Sequence, residues 1–217
     1  MKTQEKNFNG IKLSGFTAIL IMLALTGTAI YLLSLPQTPS IIAGVICGIC
    51  VVVMLPGFMI IQPNNSRVLT FFGRYAGTVI SNGFYWVNPL FLKSTVTLRI
   101  LNLNIDPIKV NDKVGNPIMI GAVVVWRIKD TYKASFDISG NIREFVQIQS
   151  DAALRQVAGM YAYDTNETID KVTLRSDESG EITQRLEDEL NSRLAIAGIE
   201  IVEARINYLA YASEIAS

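Results

Sequence analysis

Residues 58–92 read FMIIQPNNSRVLTFFGRYAGTVISNGFYWVNPLFL and mark the change from an uncharged apolar segment to a strand-rich region. Gln62-Pro63-Asn64-Asn65 is typical of a turn, because proline lacks an amide donor and asparagine side chains bond their own backbone. The run from Arg67 to Phe72 is β-branched and aromatic, as expected for a strand. Glycines and a proline then delimit two further short strands, so the stretch predicts a domain that begins with β-structure.

A long apolar segment without charge precedes this stretch. Residues 13–66 contain no Asp, Glu, Lys or Arg, and this length holds two helices of about 20 residues, the number that crosses a bilayer core. We predict a first span over Gly15–Leu35 and a second over Ile41–Ile61. Two prolines in Pro36–Ser40 interrupt the helix between them. The segment is therefore expected to form an antiparallel hairpin that either crosses the membrane or re-enters it.

Two glycines of the second span, Gly44 and Gly48, stand in the GxxxG register that lets helix backbones approach closely. They are candidate helix-packing residues, although glycine is also frequent in membrane helices for other reasons. Cys47 and Cys50 lie in the same span, and their CxxC spacing suits a redox or zinc site. Because the chain has no histidine or further cysteine to complete a tetrahedral site, we interpret both as packing residues.

Basic residues flank both ends of the hairpin, and the turn between the spans is uncharged: the flanking residues are Lys2, Lys6, Lys12, Arg67 and Arg74. By the positive-inside rule, both termini of this membrane-integral protein are expected in the cytoplasm. The predicted organisation is a polar N-terminal tail over residues 1–12, a two-helix membrane hairpin over residues 13–61 and a further domain over residues 62–217.

The remaining chain begins with strand patterns. A strand over Thr95–Ile105 changes phase in its middle, which predicts a bulge or a bend, and Pro107–Asn111 is predicted as a short strand. Ile118–Ile128 is predicted as a long strand with apolar side chains on both faces. Both faces of that strand are therefore expected to be covered.

Helical patterns follow these strands. Asn141–Glu144 has the form of a capping box and starts a helix that Gly159 ends. A short helix is expected near Asp164 or Thr165. A longer helix is expected after Ser176, with Asp177 and Glu178 in its first turn, where acidic groups favour the positive end of the dipole.

The longer helix has a continuous apolar face formed by Ile182, Leu186, Leu190, Leu194 and Ala197. Gly198 is expected to end it, and Ile199–Tyr208 alternates as a final strand. Strands followed by helices in this order predict an α+β fold after the hairpin.

Two motifs directly follow the apolar segment: Gly73-Arg74-Tyr75 and, ten positions on, Gly83-Phe84-Tyr85-Trp86-Val87-Asn88-Pro89. In this position they resemble the start of the stomatin/prohibitin/flotillin domain, also called the SPFH or band 7 domain. Leu194–Ile206 resembles the helix–Gly–strand unit late in that domain, so the resemblance covers nearly all of residues 58–217. Members of the family commonly continue into a long assembly helix. Here the chain stops at Tyr211–Ser217, so we expect either a fragment or a member that lacks most of that helix.

The sequence indicates no catalytic centre. Without histidine, neither a Ser-His-Asp nor a Cys-His arrangement is available, and Gly73–Gly77 lacks the lysine and the following helix of a phosphate loop. The carboxylates that cluster in the longer helix are typical of a solvated face with pairs such as Glu189–Arg193. We therefore predict no enzyme activity, no cofactor and no metal. The balanced net charge argues against binding to nucleic acid.

Two surfaces are candidate sites. Leu90, Phe91 and Leu92 are predicted to form a loop that dips into the inner leaflet, steadied by Lys93, because exposed apolar runs mark a partner or a membrane. The aromatic residues Phe84–Trp86 before them are interpreted as strand core. The charged face of the longer helix is predicted as an oligomer interface, and its candidate residues are Glu187, Asp188 and Glu189.

The resemblance implies a non-enzymatic membrane scaffold that forms large homo-oligomers. In this view the protein contacts membrane lipids, organises membrane microdomains and modulates neighbouring proteases, channels or transporters. Two alternatives stay open. A membrane-bound hydrolase is disfavoured by the missing histidine, and a transporter subunit is disfavoured because the hairpin offers no charged group to line a path.

Overall fold

A computed structural model describes residues 4–164, 172–176 and 180–212 of the chain. The chain divides into two compact units, Met1–Thr97 and Leu98–Ser217. The predicted helix start at Thr165, the residues Asp177 and Glu178, and the last five residues of the chain lie outside the described residues.

The first unit contains the two membrane helices. α1 covers Gly15–Ser34, and α2 covers Thr38–Met54 and continues into a 3₁₀ turn over Leu55–Gly57. Both are long and apolar enough to cross a membrane. The connection between them is shorter than predicted, because Pro39 lies in the first turn of α2, where its missing N–H forfeits no hydrogen bond.

From residue 4 onward, this unit also contains six strands: β1 (Lys12–Ser14), β2 (Phe58–Ile61), β3 (Asn65–Phe71), β4 (Arg74–Val79), β5 (Gly83–Val87) and β6 (Phe91–Thr97). The second span therefore ends earlier than predicted, since Phe58–Ile61 forms a strand rather than the last turn of a membrane helix. Its exposure has the period of a strand: Met59 and Ile61 are buried, whereas Ile60 is exposed.

One three-stranded sheet joins both ends of the hairpin. β1 runs directly into α1, and β2 follows the 3₁₀ turn that ends α2. Both strands pair antiparallel with β5, one on each side. The two ends of the hairpin are consequently attached to the same strand.

Side chains of β5 contact both helix ends. The indole N–H of Trp86 donates to the carbonyl of Met54, at 2.9 Å, where α2 ends. The ring of Phe84 stands edge-on to Phe16 of α1, with ring centroids 5.5 Å apart, and stacks on Phe58 of β2 at 5.6 Å. β5 thus holds both helix ends in two ways. The side chains of Phe84 and Trp86 contact the helix ends, and the backbone of β5 pairs with the strands β1 and β2 that adjoin them.

Glycine is required opposite both of these rings. A Cβ at Gly57 would stand 2.3 Å from Nε1 of Trp86, and a Cβ at Gly15 would stand 2.2 Å from the ring of Phe84. Both distances are far below van der Waals contact, so the junction closes only because these two positions carry no side chain.

The second sheet of this unit has the order β4-β3-β6. Both sheets contribute to one core, formed by Met59, Ile61, Leu69, Val79 and Val87. The N-terminal segment joins this core: Asn7 bridges to Thr78, and Phe8 packs against the buried cluster. Part of the predicted polar tail is therefore integral to the first unit.

In the part of the second unit that the structure describes, an antiparallel sheet with the order β7-β8-β9 is accompanied by three helices. Its elements are β7 (Leu101–Asn111), β8 (Pro117–Ile128), α3 (Thr131–Phe136), α4 (Ile142–Ala158), α5 (Glu181–Leu194) and β9 (Ile199–Tyr211). The phase change predicted within Thr95–Ile105 corresponds to a break between β6 and β7. The predicted short strand Pro107–Asn111 belongs to β7, which carries an irregularity between Ile105 and Ile108.

The two faces of β8 differ in burial. One face is buried throughout and consists of Ile118, Ile120, Ala122, Val124, Trp126 and Ile128. The opposite face, with Met119, Val123 and Val125, is only half-buried. The expectation that both faces are fully covered is therefore too strong, because α4 and α5 pack on the sheet and leave the second face partly open.

α4 has its predicted bounds, whereas α5 begins later than predicted. Asn141 caps α4 by accepting the N–H of Arg143 at 2.9 Å, and Gly159 ends it. α5 begins at Glu181 rather than after Ser176, preceded by Gly180 in a left-handed conformation. Its predicted apolar face is buried, and Gly198 ends the short 3₁₀ turn that follows it.

Replacing Gly57 by alanine should destabilise the junction between hairpin and sheet by about 1–3 kcal/mol, because the added methyl group overpacks the site against Trp86 and the carbonyl of Val87. Hydrogen exchange of the full chain in detergent should report faster exchange of the amides of β1, β2 and β5. Gly48→Ala is the matched control, since nothing lies within 4 Å of its Cβ position. If the amides of β1, β2 and β5 exchanged equally fast in the two variants, the tight packing between Gly57 and Trp86 would be contradicted.

Candidate membrane-interface site

The predicted membrane-contact residues do not form one loop. Leu90 precedes β6, whereas Phe91, Leu92 and Lys93 are its first three residues. Because successive side chains of a strand point to opposite faces, Phe91 and Lys93 share one face and Leu92 lies on the other. Leu90 and Leu92 are 57% and 69% exposed, and they remain available for contact with a membrane.

Phe91 lies inside the first unit. Its ring centroid is 5.3 Å from that of Phe8 and 5.2 Å from that of Phe71, and the side chain packs on the buried cluster. This corrects the expectation that Phe91 dips into the leaflet together with its neighbours. The pleat of β6 turns it inward, and sequence periodicity over three apolar residues does not reveal that direction.

Lys93 reaches the end of the second membrane helix. Its Nζ donates a hydrogen bond to the carbonyl of Pro56, in the 3₁₀ turn that follows α2. Burial, and secondly the nearby Arg67, lower the pKa of Lys93 from its ordinary value. Arg67 donates to the carbonyl of Ile60 at 3.4 Å. Two cations thus lie close together where the second span meets the sheet.

The charges of the chain are unevenly distributed. Residues 1–97 carry six basic residues and a single acidic one, Glu5, and residues 6–105 contain no Asp or Glu. The excess of acidic residues therefore belongs to residues 98–217. A basic segment around a membrane hairpin suits an anionic lipid surface.

The two glycines of the GxxxG pair have different surroundings. Gly44 is buried, and a Cβ there would stand 2.8 Å from the side chain of Leu33 and 3.1 Å from the carbonyl of Ala29, both in α1. Gly48 has no atom within 4 Å of its Cβ position. Gly44 therefore lies at the contact between the two helices, whereas Gly48 lies outside it.

The three acidic candidates of α5 also differ. Glu187 accepts the backbone N–H of Ala204 in β9 at 3.1 Å, and Glu189 forms an ion pair with Arg193 at 2.6 Å. Asp188 is exposed and accepts from Gln184 at 3.1 Å. Glu187 and Glu189 are half-buried and serve contacts within their own unit, whereas Asp188 is exposed. Reversing all three charges would therefore remove the contacts of Glu187 and Glu189 as well as change the exposed charge of Asp188.

Asp112, between β7 and β8, has a structural role. Burial would raise the pKa of Asp112, but hydrogen bonds from the backbone N–H groups of Tyr163, Asn116 and Val114 and from the Asn116 side chain lower it. The charged form therefore stabilises the fold above an unfolded-state pKa of about 3.9, and this contribution is lost as the pH falls through the lowered value. Within the described residues, no group of three or more His, Cys, Asp or Glu side chains is placed to hold a metal ion.

The comparison with protein families identifies the chain. The model of the SPFH domain / Band 7 family matches residues 59–217, which includes the glycine motifs, the β-rich start and the helix–Gly–strand unit. The protein belongs to this family, and the predicted α+β domain after two apolar helices is confirmed. A comparison with curated proteins gives no significant match.

Sequence reasoning found Lys93 but missed its partners in the site. The sequence places Arg67 at the start of a strand and among the basic residues that flank the hairpin, but it does not place Arg67 beside Lys93. The pair Pro56-Gly57 was the signal in the sequence that could have located this site. It lies in the turn that follows the second apolar helix, and in the structure Pro56 lies beside Arg67 and Lys93. The signal was incomplete because the approach of β6 to Pro56 depends on pairing between distant strands.

The exposed and inward-facing apolar residues of this region should respond differently to polar substitution. Replacing Leu90 and Leu92 together by serine should leave the melting temperature of the full chain in detergent nearly unchanged, because both side chains are exposed. Phe91→Ser should destabilise by about 2–4 kcal/mol through loss of core packing. A large loss of stability in the Leu90/Leu92 variant would place these residues inside the protein and would exclude them as membrane contacts.

Proposed function

We propose that this protein is a non-enzymatic membrane scaffold that self-assembles and organises membrane microdomains, and that it modulates neighbouring membrane proteins such as proteases, channels or transporters. The observation that carries the proposal is the attachment of both hairpin ends to β5. A domain held in this way stays at the membrane surface, and its confinement raises its local concentration, so that weak lateral contacts suffice for assembly.

The attachment also bears on membrane topology. The pairing of both β1 and β2 with one strand supports a topology in which the two ends of the hairpin lie on the same side of the membrane, and the basic residues of the first unit favour the cytoplasmic side. A reporter that fluoresces only in the cytoplasm should be bright when fused to either terminus. A dark fusion at one terminus would contradict the hairpin topology.

Self-assembly can be tested by measuring the mass of the intact assembly. The full chain, extracted with its surrounding lipid and measured by native mass spectrometry, should form a homo-oligomer of many subunits. A monomer or dimer would contradict the scaffold proposal.

The charged face of α5 is the candidate contact between subunits, now restricted to Asp188. Asp188→Lys should reduce the native mass, because it reverses the charge that faces a neighbouring subunit, while the melting temperature stays unchanged. Asp137→Lys makes the same charge change at another exposed position and serves as the control. If both variants assemble like the unchanged protein, the interface lies elsewhere on the surface.

A further inference from the structure

A cavity of about 430 Å³ lies beside the end of the second membrane span, entirely within the first unit. Its walls come from the 3₁₀ turn after α2 and from β2, β3, β5 and β6. The residues that give it its chemistry are Pro56, Phe58, Ile60, Arg67, Phe84 and Lys93. The cavity thus combines two cations with an apolar wall.

The two cations have unused donors. Arg67 donates to the carbonyl of Ile60, and Lys93 donates to the carbonyl of Pro56. A guanidinium carries five N–H donors and an ammonium three, so each group retains donors for a ligand. The sequence offers no Asp or Glu between residues 6 and 105, and neither cation takes part in an ion pair among the described residues. An anion bound between them would relieve the repulsion of two like charges.

The other wall of the cavity is apolar. Phe58 and Phe84 stack nearly parallel, with an angle of 16° between their rings, and Ile60 beside them is 63% exposed. A free inorganic anion would satisfy the cations but leave this wall in water. A ligand with an anionic head and a hydrocarbon tail would satisfy both parts of the cavity. The cavity also lies where a membrane span ends, which is the depth of lipid headgroups.

We propose that this cavity binds the phosphate of an anionic phospholipid between Arg67 and Lys93, with its hydrocarbon region against Ile60 and the two stacked rings. The proposal rests on the membrane attachment in the proposed function, and it gives that function a lipid class. The recognised chemistry is a phosphate with net negative charge, and the source is a membrane lipid rather than free phosphate.

The test is native mass spectrometry of the full chain in detergent, titrated with phosphatidylglycerol. Arg67→Gln and Lys93→Gln should each weaken phosphatidylglycerol binding about tenfold or more, because each removes a charge-assisted hydrogen bond. Glutamine keeps a polar side chain with an N–H donor but removes the charge. Lys93→Arg should retain binding. Arg74→Gln, which removes an exposed charge of the same unit, should change binding less than about twofold.

Two further measurements distinguish the possible ligands. Phosphatidylcholine should bind more weakly than phosphatidylglycerol, and inorganic phosphate at millimolar concentration should not displace the lipid. Equal loss of binding in Arg74→Gln would mean unspecific attraction by surface charge, and displacement by inorganic phosphate would mean a free-anion site. Equal binding of phosphatidylcholine would remove the requirement for an anionic lipid. Each of these results would overturn the proposal.

The same spectra separate this proposal from the proposed function. Oligomer mass and lipid adducts are read independently in one measurement. An intact oligomer without a specific phosphatidylglycerol adduct contradicts the lipid site alone. A monomer that retains the adduct, and loses it in Arg67→Gln and Lys93→Gln, contradicts the scaffold alone.

Discussion

The pairing of β5 with both ends of the membrane hairpin is the constraint on which the first unit depends. β1 has three residues and β2 has four, and strands this short are not stable in isolation. Adjacent strands lie about 4.7–4.9 Å apart, so β1 and β2 stand roughly 10 Å apart across β5. Packed helices prefer an interaxial distance of about 8–10 Å. The sheet therefore sets the spacing at which α1 and α2 can meet, and the contact at Gly44 uses that spacing.

This arrangement couples the membrane segment to the sheets mechanically. The absent side chains at Gly15 and Gly57 let Phe84 and Trp86 close directly onto the helix ends, and well-packed contacts of this kind transmit displacement rather than absorb it. A change in the tilt of either helix would move β5 and, through it, the other helix. Arg67 and Lys93 lie at the edge of the same junction, so an anionic ligand bound there would contact the part of the unit that connects membrane and sheet.

Several features with a local signal were predicted correctly from the sequence. The start of α1, the caps of α4, the apolar stripe of α5 and the stop at Gly198 each depend on periodicity or on one conformationally special residue. Sequence reasoning failed at Phe58–Ile61, because four apolar residues fit the end of a membrane helix as well as a short strand. It also failed for Phe91 and Glu187. The direction of Phe91 depends on the register between β3 and β6, and the partner of Glu187 is a backbone group in β9, so both required contacts between distant parts of the chain.

The contacts of α5 limit the ways in which the second unit can assemble. Among the described residues, β9 has a single strand neighbour, and an unpaired strand edge is a template for pairing with another chain. Two of its backbone N–H groups are occupied by α5, since Ile201 donates to Asn191 at 3.0 Å and Ala204 donates to Glu187 at 3.1 Å. Adding a strand along this part of β9 would break both bonds, and a hydrogen bond to a charged acceptor such as Glu187 contributes about 1.5–3 kcal/mol. Subunit contacts through side chains exposed on α5, with Asp188 among them, avoid this cost because the sheet remains intact.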